Sequence, residues 1–378
     1  MKTPFVYGRI ATAGDFTDRK QETEKLILYF TSSINSILIS PGRWGKSSLA
    51  VYAAEAVIRK KRRIRFCFAD MTNVRSEEEF FRNFAAAVLQ GSSKKARELT
   101  EMADRFLGRF NPDIAASPGQ NTEFRLELNL REVKKNPDDI LDLAEKIATE
   151  KKIKFVVCID QFQNTAGFED PVEFQKKLKV HWQKHNMVCY CLCGSRRQFM
   201  MDVFGSPSMP LYKFGDIIHL QKISIEEWIP FIRKRFADTG KIIESKVARK
   251  IAEYAGCHSY YVQQLAQQCW LRTRSRCNIA IVETAFSNLV LQLSMLFRNL
   301  ADGLSDTQVN FLRAVVNDVG QLSSQEAIIE YRLGTSGNIM KIKRALMSKE
   351  IIDIEAGKVI ILDPLFRVWL KDHYFRNR

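Results

Sequence analysis

Three consecutive residues, Gly45, Lys46 and Ser47, have the types and the order that bind phosphate groups. They follow the short apolar run Ile37–Ile39 and a Pro/Gly turn, and a helix-forming stretch continues from them to about Ile58. A strand, a glycine turn and a helix N-terminus present backbone N–H groups and the positive end of the helix dipole to an anion. The sequence therefore predicts a P-loop, in which Lys46 reaches the β- and γ-phosphates of ATP or ADP and the Ser47 hydroxyl ligates Mg²⁺.

The predicted P-loop departs from the general pattern at its first position. That pattern places glycine five residues before Gly45, and this chain has Ser40 there. Serine can close the turn only in a conformation that a Cβ atom tolerates. An ordinary glycine turn before a helix is the alternative interpretation. The predicted nucleotide-binding residues of the loop are Pro41, Gly42, Arg43, Trp44, Gly45, Lys46, Ser47 and Ser48.

A second apolar run ends in a carboxylate. Lys154–Ile159 has the composition of a buried strand, and Asp160 follows it. This is the Walker B arrangement, in which the carboxylate holds Mg²⁺ through water opposite the Ser47 ligand. ATPases of this kind usually carry Glu next, whereas this chain carries Gln161. An amide orients water but cannot accept its proton. Three interpretations stay open: a slow switch, a substitute carboxylate elsewhere in the chain, or an engineered trap.

A third apolar run, Met187–Cys193, predicts a strand beside the Walker B strand, and it is followed closely by Ser195. A polar residue at the end of that strand is positioned to touch the γ-phosphate or the attacking water, so Ser195 is predicted to be a phosphate sensor. The predicted catalytic residues are Lys46, Asp160, Gln161 and Ser195.

Two further segments carry residues suited to contact a nucleotide. Phe16 and Arg19 stand at the start of a predicted helix, capped by Thr17 or Asp18. In many P-loop ATPases the segment before the first strand folds over the adenine; a surface helix entry is the alternative. His258 precedes another helix N-terminus, where its ring or the backbone N–H groups would meet phosphate. A capping turn without a ligand is the alternative there.

The order of predicted elements indicates the fold class. Short apolar strands alternate with helices up to about residue 222, which argues for a parallel sheet covered by helices on both faces. The chain then turns purely helical, and its last part reads as three helices and a two-stranded ribbon, as in a winged helix-turn-helix. We predict an α/β fold with a P-loop NTPase core built on a parallel sheet at 1–222, a helical domain at 223–295 and a winged helix-turn-helix at 296–378.

The charge of the chain favours a polyanionic partner. The 378 residues carry a formal net charge of +15 at pH 7, part of which serves nucleotide phosphate alone. The predicted winged helix is nearly neutral, with 12 basic and 10 acidic residues over 296–378. Its third helix is predicted to turn Lys341, Arg344 and Lys349 outward, where they would reach DNA phosphates. A protein-interaction or lid module is the alternative.

Composition indicates which other classes of protein the chain can belong to. Hydrophobic residues make up 46% of the chain and charged residues 27%, which is typical of a soluble globular protein. We find neither an 18-residue uncharged apolar run nor a signal peptide, so we expect no membrane partner and a cytoplasmic location. The eight cysteines lack the spacing of zinc or redox pairs, and we expect buried free thiols.

These motifs together resemble the archaeal-type ATPase family, within the STAND branch of AAA-like P-loop ATPases, with Bacteroidetes members looking closest. The resemblance spans essentially the whole chain. It rests on Pro41–Leu49, Ile159–Gln163, Cys193–Ser195 with Phe199–Met201, and His258–Gln263. It implies a RecA/AAA-like core at 1–222, a helical lid at 223–295 and a winged helix, laid out as in archaeal replication-origin ATPases. It also implies nucleotide-controlled assembly rather than metabolic catalysis.

Two positions depart from that family. Its members usually carry Asp-Glu where this chain has Asp160-Gln161, which argues against steady hydrolysis. They usually carry His-Pro where this chain has His258-Ser259, which weakens the transfer of the lid's nucleotide-sensing role.

Our first hypothesis is an ATP-dependent molecular switch, with ATP·Mg bound between core and lid and slow or impaired hydrolysis to ADP and phosphate. The second is a winged-helix DNA-binding protein whose ATP site is regulatory or structural. The third is a defence or signalling scaffold that assembles through protein contacts, as a homo-oligomer or with a protein partner.

Overall fold

The computed structural model describes residues 3–11, 15–61, 63–116, 124–355 and 357–376. The chain divides into two compact units. The core unit is 19–221, and the C-terminal unit is 222–378 together with the segment up to residue 18. The N-terminal segment, which the sequence analysis assigned to the core, therefore packs in the other unit. A separation of lid from winged helix near residue 295 stays a prediction.

The core unit is built on a parallel sheet of five strands, β2-β5-β6-β1-β7 in order. Every residue of β1 and of β6 is buried, which is why these strands appear in the sequence as unbroken apolar runs. β3 and β4 form a separate antiparallel hairpin. The strands are β1 (Ser36–Ile39), β2 (Ile64–Asp70), β3 (Asp113–Ala116), β4 (Phe124–Glu127), β5 (Lys154–Asp160), β6 (Val188–Gly194) and β7 (Asp216–His219).

The helices of the core unit bury apolar faces rich in phenylalanine. The rings of Phe80 and Phe174, and those of Phe168 and Phe174, meet edge-on with centroids 4.9 Å apart in each pair. The helices are α1 (Lys20–Ser32), α2 (Lys46–Lys60), α3 (Glu77–Ser92), α4 (Ala96–Leu107), α5 (Leu130–Lys135), α6 (Pro137–Leu141), α7 (Leu143–Lys151), α8 (Pro171–Trp182) and α9 (Arg197–Gly205).

The C-terminal unit is mainly helical. Its helices are α10 (Ile225–Ala237), α11 (Ser245–Tyr254), α12 (Ser259–Arg272), α13 (Ile279–Gln292), α14 (Ser294–Asp302), α15 (Asp306–Val316), α16 (Gln325–Glu330), α17 (Ser336–Ser348) and α18 (Pro364–Trp369). Its strands are β8 (Ile242–Ile243), β9 (Arg276–Cys277), β10 (Ile352–Glu355) and β11 (Lys358–Ile361). The order of α15, α16, α17 and the antiparallel β10–β11 ribbon is the predicted winged-helix order.

One buried apolar cluster runs from α10 through the helices to α18. The N-terminal segment joins this cluster because the ring of Phe5 packs against Phe231 and Phe236, with centroids 6.2 and 5.9 Å away. The backbone N–H of Val6 also donates to Gln263 Oε1 at 3.1 Å. These contacts explain why the first residues of the chain pack with elements after residue 222.

Among the described residues, no single helix combines the length and the apolar composition needed to cross a bilayer, although α13 and α14 meet that test as a pair bent by 42°. All eight cysteines are free thiols and seven of them are buried, which confirms the expectation for those seven; Cys257 is partly buried.

Candidate functional site

The loop between β1 and α2 has P-loop geometry. The Ser40 N–H donates to Gly194 O at 3.3 Å, which extends the β1–β6 ladder into the loop. The left-handed residues of the loop are Arg43 and Gly45, with φ of 62° and 97°. Ser40 therefore closes the turn in a conformation that its Cβ tolerates, and glycine is needed at Gly45. The helix begins directly after it, since Leu49 N–H donates to Gly45 O at 2.9 Å.

The ammonium of Lys46 lies inside this loop. The side chain is buried, and Nζ donates to Ser40 O at 2.7 Å and to Pro41 O at 3.1 Å. A buried cation needs such partners, because desolvation without them would be costly. The contacts hold the charge at the mouth of α2, where the helix N-terminus also attracts anions.

The two predicted Mg²⁺ ligands are in direct contact. Ser47 Oγ donates to Asp160 Oδ2, although the residues lie 113 positions apart in the chain. The other carboxylate oxygen, Oδ1, accepts the backbone N–H of Gln161 at 2.9 Å. A hydroxyl and a carboxylate are hard oxygen donors, and Mg²⁺ is usually held by one or two such groups together with phosphate and water. The donor set fits the ion.

The side-chain amide of Gln163, for which the sequence predicted no role, joins the ends of β5 and β6. Gln163 is buried, and its Nε2 donates to Ser195 Oγ at 3.0 Å and also to Gln161 Oε1. Its Oε1 accepts the Ser195 backbone N–H at 3.1 Å. β6 pairs with β5, so Ser195, the predicted sensor, directly follows a strand that lies beside the strand ending in Asp160. The sequence signals for Gln163 are its polar type three positions after Asp160 and its place at the end of the Ile159–Gln163 motif.

Arg19 lies against the P-loop. Its guanidinium is buried and donates to Trp44 O at 3.3 Å and to Glu22 Oε1 at 3.1 Å. Helix α1 begins at Lys20, and Arg19 itself occupies the cap position with φ 67°. The predicted caps, Thr17 or Asp18, are therefore wrong. A left-handed arginine is unfavourable by itself, and the two hydrogen bonds hold it. This contact favours a place in the site over a surface helix entry.

Phe16 and His258 belong to the C-terminal unit. His258 is buried at the cap position of α12, where its side chain makes no capping hydrogen bond; its ring lies 5.0 Å from that of Tyr261. Phe16 is partly buried. Within the core unit the structure brings together Arg19, the P-loop residues, Asp160, Gln161 and Ser195, and the nucleotide contacts of Phe16 and His258 stay predictions.

Three of the buried cysteines lie on the strand that precedes Ser195. Cys189, Cys191 and Cys193 alternate along β6 and are all buried. Burial raises the pKa of Cys189 to about 12, so it is a neutral thiol at physiological pH.

Comparison with known proteins supports this architecture. A family model described as a probable winged helix domain matches residues 295–372. The Walker-type ATPase of Pyrococcus abyssi is 15% identical, with a TM-score of 0.70 over 96% of this chain and 99% of that one. The ORC2 protein of Aeropyrum pernix, in its ADPNP–ADP complexes, is 15% identical, with a TM-score of 0.59 over 96% and 93%. The ORC1 protein of Aeropyrum pernix, in complex with DNA, is 11% identical, with a TM-score of 0.52 over 96% and 94%. No curated protein matches the sequence.

These likenesses show that the chain has the fold of P-loop ATPases with a C-terminal winged helix domain, which confirms the predicted fold class. The expected likeness to archaeal origin-binding ATPases holds at the level of the fold. The assignments to the STAND branch and to Bacteroidetes-type members stay predictions.

Proposed function

We propose that this chain is a nucleotide-binding P-loop ATPase that acts as an ATP-controlled switch with slow hydrolysis. The observation that carries the proposal is the contact of Ser47 with Asp160 beside the buried Lys46 ammonium. A hydroxyl, a carboxylate and an ammonium converge at a helix N-terminus, which is the arrangement that binds a nucleotide triphosphate with Mg²⁺.

In the proposed site each side chain has a separate task. Lys46 exchanges its bonds to loop carbonyls for phosphate oxygens, and the N–H groups of the loop bind the remaining phosphate charge. Ser47 and Asp160 would hold Mg²⁺, which when bound neutralises charge on the phosphates. Arg19 supports the loop through Trp44 O. Ser195 and Gln161 would meet the terminal phosphate.

Slow hydrolysis follows from the chemistry of Gln161. An uncharged carboxamide orients a water molecule but is a poor acceptor for its proton, so general-base catalysis from this position is lost. We expect Gln161→Glu to release phosphate faster than the native chain while both bind ATP. Single-turnover phosphate release measures the difference, and equal turnover would show that another group activates the water.

The nucleotide site itself is tested by Lys46→Ala. Loss of the buried ammonium should weaken ATP binding by at least about tenfold, since a hydrogen bond to a charged group contributes about 1.5–3 kcal/mol. Isothermal titration with ATP·Mg measures this. Lys60→Ala, which removes an exposed charge from the other end of α2, is the matched control. Unchanged ATP affinity in a folded Lys46→Ala protein would refute the site.

DNA binding through the winged helix is the second candidate. It is favoured by the match of a winged helix domain to residues 295–372 and by the exposure of Lys341 and Arg344 on α17. The third outward residue, Lys349, donates to Gly303 O at 3.1 Å and so also serves the unit's own packing.

Assembly through protein contacts, as a homo-oligomer or with a partner, is a further proposal. An ATP-dependent change in particle mass would test it.

A further inference from the structure

The buried amide of Gln163 joins two residues of the proposed site. We propose that Gln163 is a positioning residue that determines which atoms Gln161 and Ser195 present to the terminal phosphate of a nucleotide. The inference rests on the proposed nucleotide site and adds a residue to it: both partners are set as hydrogen-bond donors, which suits the holding of a phosphate and not the activation of water.

The orientation of the Gln163 amide follows from a backbone group. The N–H of Ser195 lies 3.1 Å from one terminal atom of Gln163. A backbone N–H is always a donor, so the atom it meets is the carbonyl oxygen Oε1. The other terminal atom must then be the nitrogen Nε2. This removes the usual ambiguity between the oxygen and the nitrogen of a glutamine side chain.

The two protons of Nε2 are both used. One points to Ser195 Oγ at 3.0 Å and the other to Gln161 Oε1. Gln163 is only 3% exposed, so water cannot easily replace either bond, and an unmet buried donor would cost about 1–3 kcal/mol. The amide is thus held on three sides by its neighbours.

The fixed orientation of the Gln163 amide determines which hydrogen-bonding groups Gln161 and Ser195 direct away from it. Gln161 turns its carbonyl oxygen toward Gln163, so its NH₂ group is the end directed away from that contact. Ser195 accepts from Gln163, so its own hydroxyl proton is directed to another acceptor. Phosphate oxygens are acceptors only, and two donors therefore match them. A water molecule that must lose a proton needs an acceptor, which this arrangement does not provide.

The test exchanges the donor for an acceptor of the same shape. In Gln163→Glu one carboxylate oxygen still accepts from the Ser195 N–H, while the other draws the Gln161 NH₂ and the Ser195 hydroxyl toward itself. The preference for ATP over ADP, measured as the ratio of their dissociation constants with Mg²⁺, should fall by about tenfold or more. Affinity for ADP, which lacks the terminal phosphate, should stay within about twofold.

Two further variants separate positioning from mere stability. Gln175→Glu places a carboxylate at another buried glutamine of the core unit, 1% exposed on α8; it should lower the melting temperature without changing the ATP preference. Gln163→Met removes the hydrogen bonds without adding charge and decides the matter if the glutamate variant does not fold. The double variant Gln163→Met with Gln161→Leu should lose little more of the ATP preference than Gln161→Leu alone. Both substitutions remove the same hydrogen bond between the two glutamines, so their effects should not add.

The outcomes are distinguishable. A native chain that binds neither ATP nor ADP overturns the proposed function itself. A native chain that prefers ATP, with folded Gln163 variants that keep that preference, overturns only the positioning role. Additive losses in the double variant, equal to the sum of the two single effects, would also refute it. A reduced preference in Gln163→Glu, absent from Gln175→Glu, supports the inference.

Discussion

At the scale of single residues, the sensor position depends on the glycine before it. Gly194 ends β6, and its carbonyl accepts the Ser40 N–H at 3.3 Å. A Cβ atom placed on Gly194 would lie 2.6 Å from Cγ of Met200 and 2.7 Å from its Cε. Met200 is fully buried in the core cluster, so it has little room to move. A side chain at Gly194 would therefore displace Met200, next to the hydrogen bond that joins Gly194 to the P-loop.

We expect Gly194→Ala to lower the free energy of unfolding by about 1–3 kcal/mol through overpacking and to weaken ATP binding, because Ser195 and Ser40 would shift. Urea denaturation and ATP titration measure the two effects. Gly108→Ala is the control, since a Cβ there would meet no heavy atom within 4 Å; it should be neutral or slightly stabilising. Equal stability of the two variants would contradict the packing argument.

At the scale of elements, a partly buried set of hydrogen bonds connects the end of α8 with β6 and with the break between α6 and α7. Asp142, which separates those two helices, accepts hydrogen bonds from His181 Nδ1 at 2.8 Å and His185 Nε2 at 3.2 Å. His185 Nδ1 lies 2.8 Å from the hydroxyl of Tyr190. With Nε2 as the donor to Asp142, a neutral His185 accepts the tyrosine proton at Nδ1; protonation of Nδ1 would make the tyrosine oxygen the acceptor and require its proton to turn away.

This link makes stability depend on pH. Burial lowers the pKa of His185 below the ordinary histidine value of about 6.5, although Asp142 and Glu145 oppose the shift. Burial by itself would raise the pKa of Asp142, but the hydrogen bonds from His181 and His185 outweigh it and the pKa is lowered. Between the folded and unfolded pKa values of His185 the unfolded chain binds more protons, so stability falls as pH falls. The contribution of Asp142 is lost only in more acidic solution.

We expect the free energy of unfolding to decrease as the pH is lowered from 7.5 to 5.5, and His185→Gln to reduce that decrease. Glutamine keeps one donor and one acceptor but does not titrate. Urea denaturation of both proteins at the two pH values provides the measurement. The same pH dependence in both would show that other groups, such as His219, whose pKa is also lowered by burial, govern it.

At the scale of the whole molecule, the positive charge is concentrated outside the winged helix. Residues 1–222 contain 36 basic and 27 acidic side chains, and 223–295 contain 10 and 6. The winged helix region contributes only 12 against 10. Long-range attraction of a polyanion therefore depends mainly on the rest of the chain, while the winged helix supplies the shape that would enter a groove.

If the winged helix binds DNA, affinity should fall by about 10³-fold or more between 50 and 200 mM salt, as for six or more phosphate contacts. Lys341→Ala with Arg344→Ala should reduce the salt slope by about 2. Lys95→Ala with Arg97→Ala, which removes two exposed charges from the core unit, should change it less. Absence of binding at 50 mM salt would dismiss the DNA hypothesis.

Local patterns were enough to predict the fold class and the two strands whose ends bring Ser47 and Asp160 together. An apolar run before Gly45-Lys46-Ser47 and another before Asp160 specify strands, and parallel strands of this kind end at one edge of a sheet. Those signals depend on residues close together in the chain, so they can be read from the sequence. The order of helices and ribbon in the winged helix is local in the same way.

The tertiary structure alone decided which distant residues meet. Gln163 and Ser195 are 32 positions apart and touch only because β5 pairs with β6. The N-terminal segment packs in the C-terminal unit because the Phe5 ring fits a cluster formed by α10. Arg19 occupies the cap position predicted for Thr17 or Asp18, where its guanidinium donates a hydrogen bond to Trp44 O. Such choices follow from long-range packing and hydrogen bonding, which local periodicity does not encode.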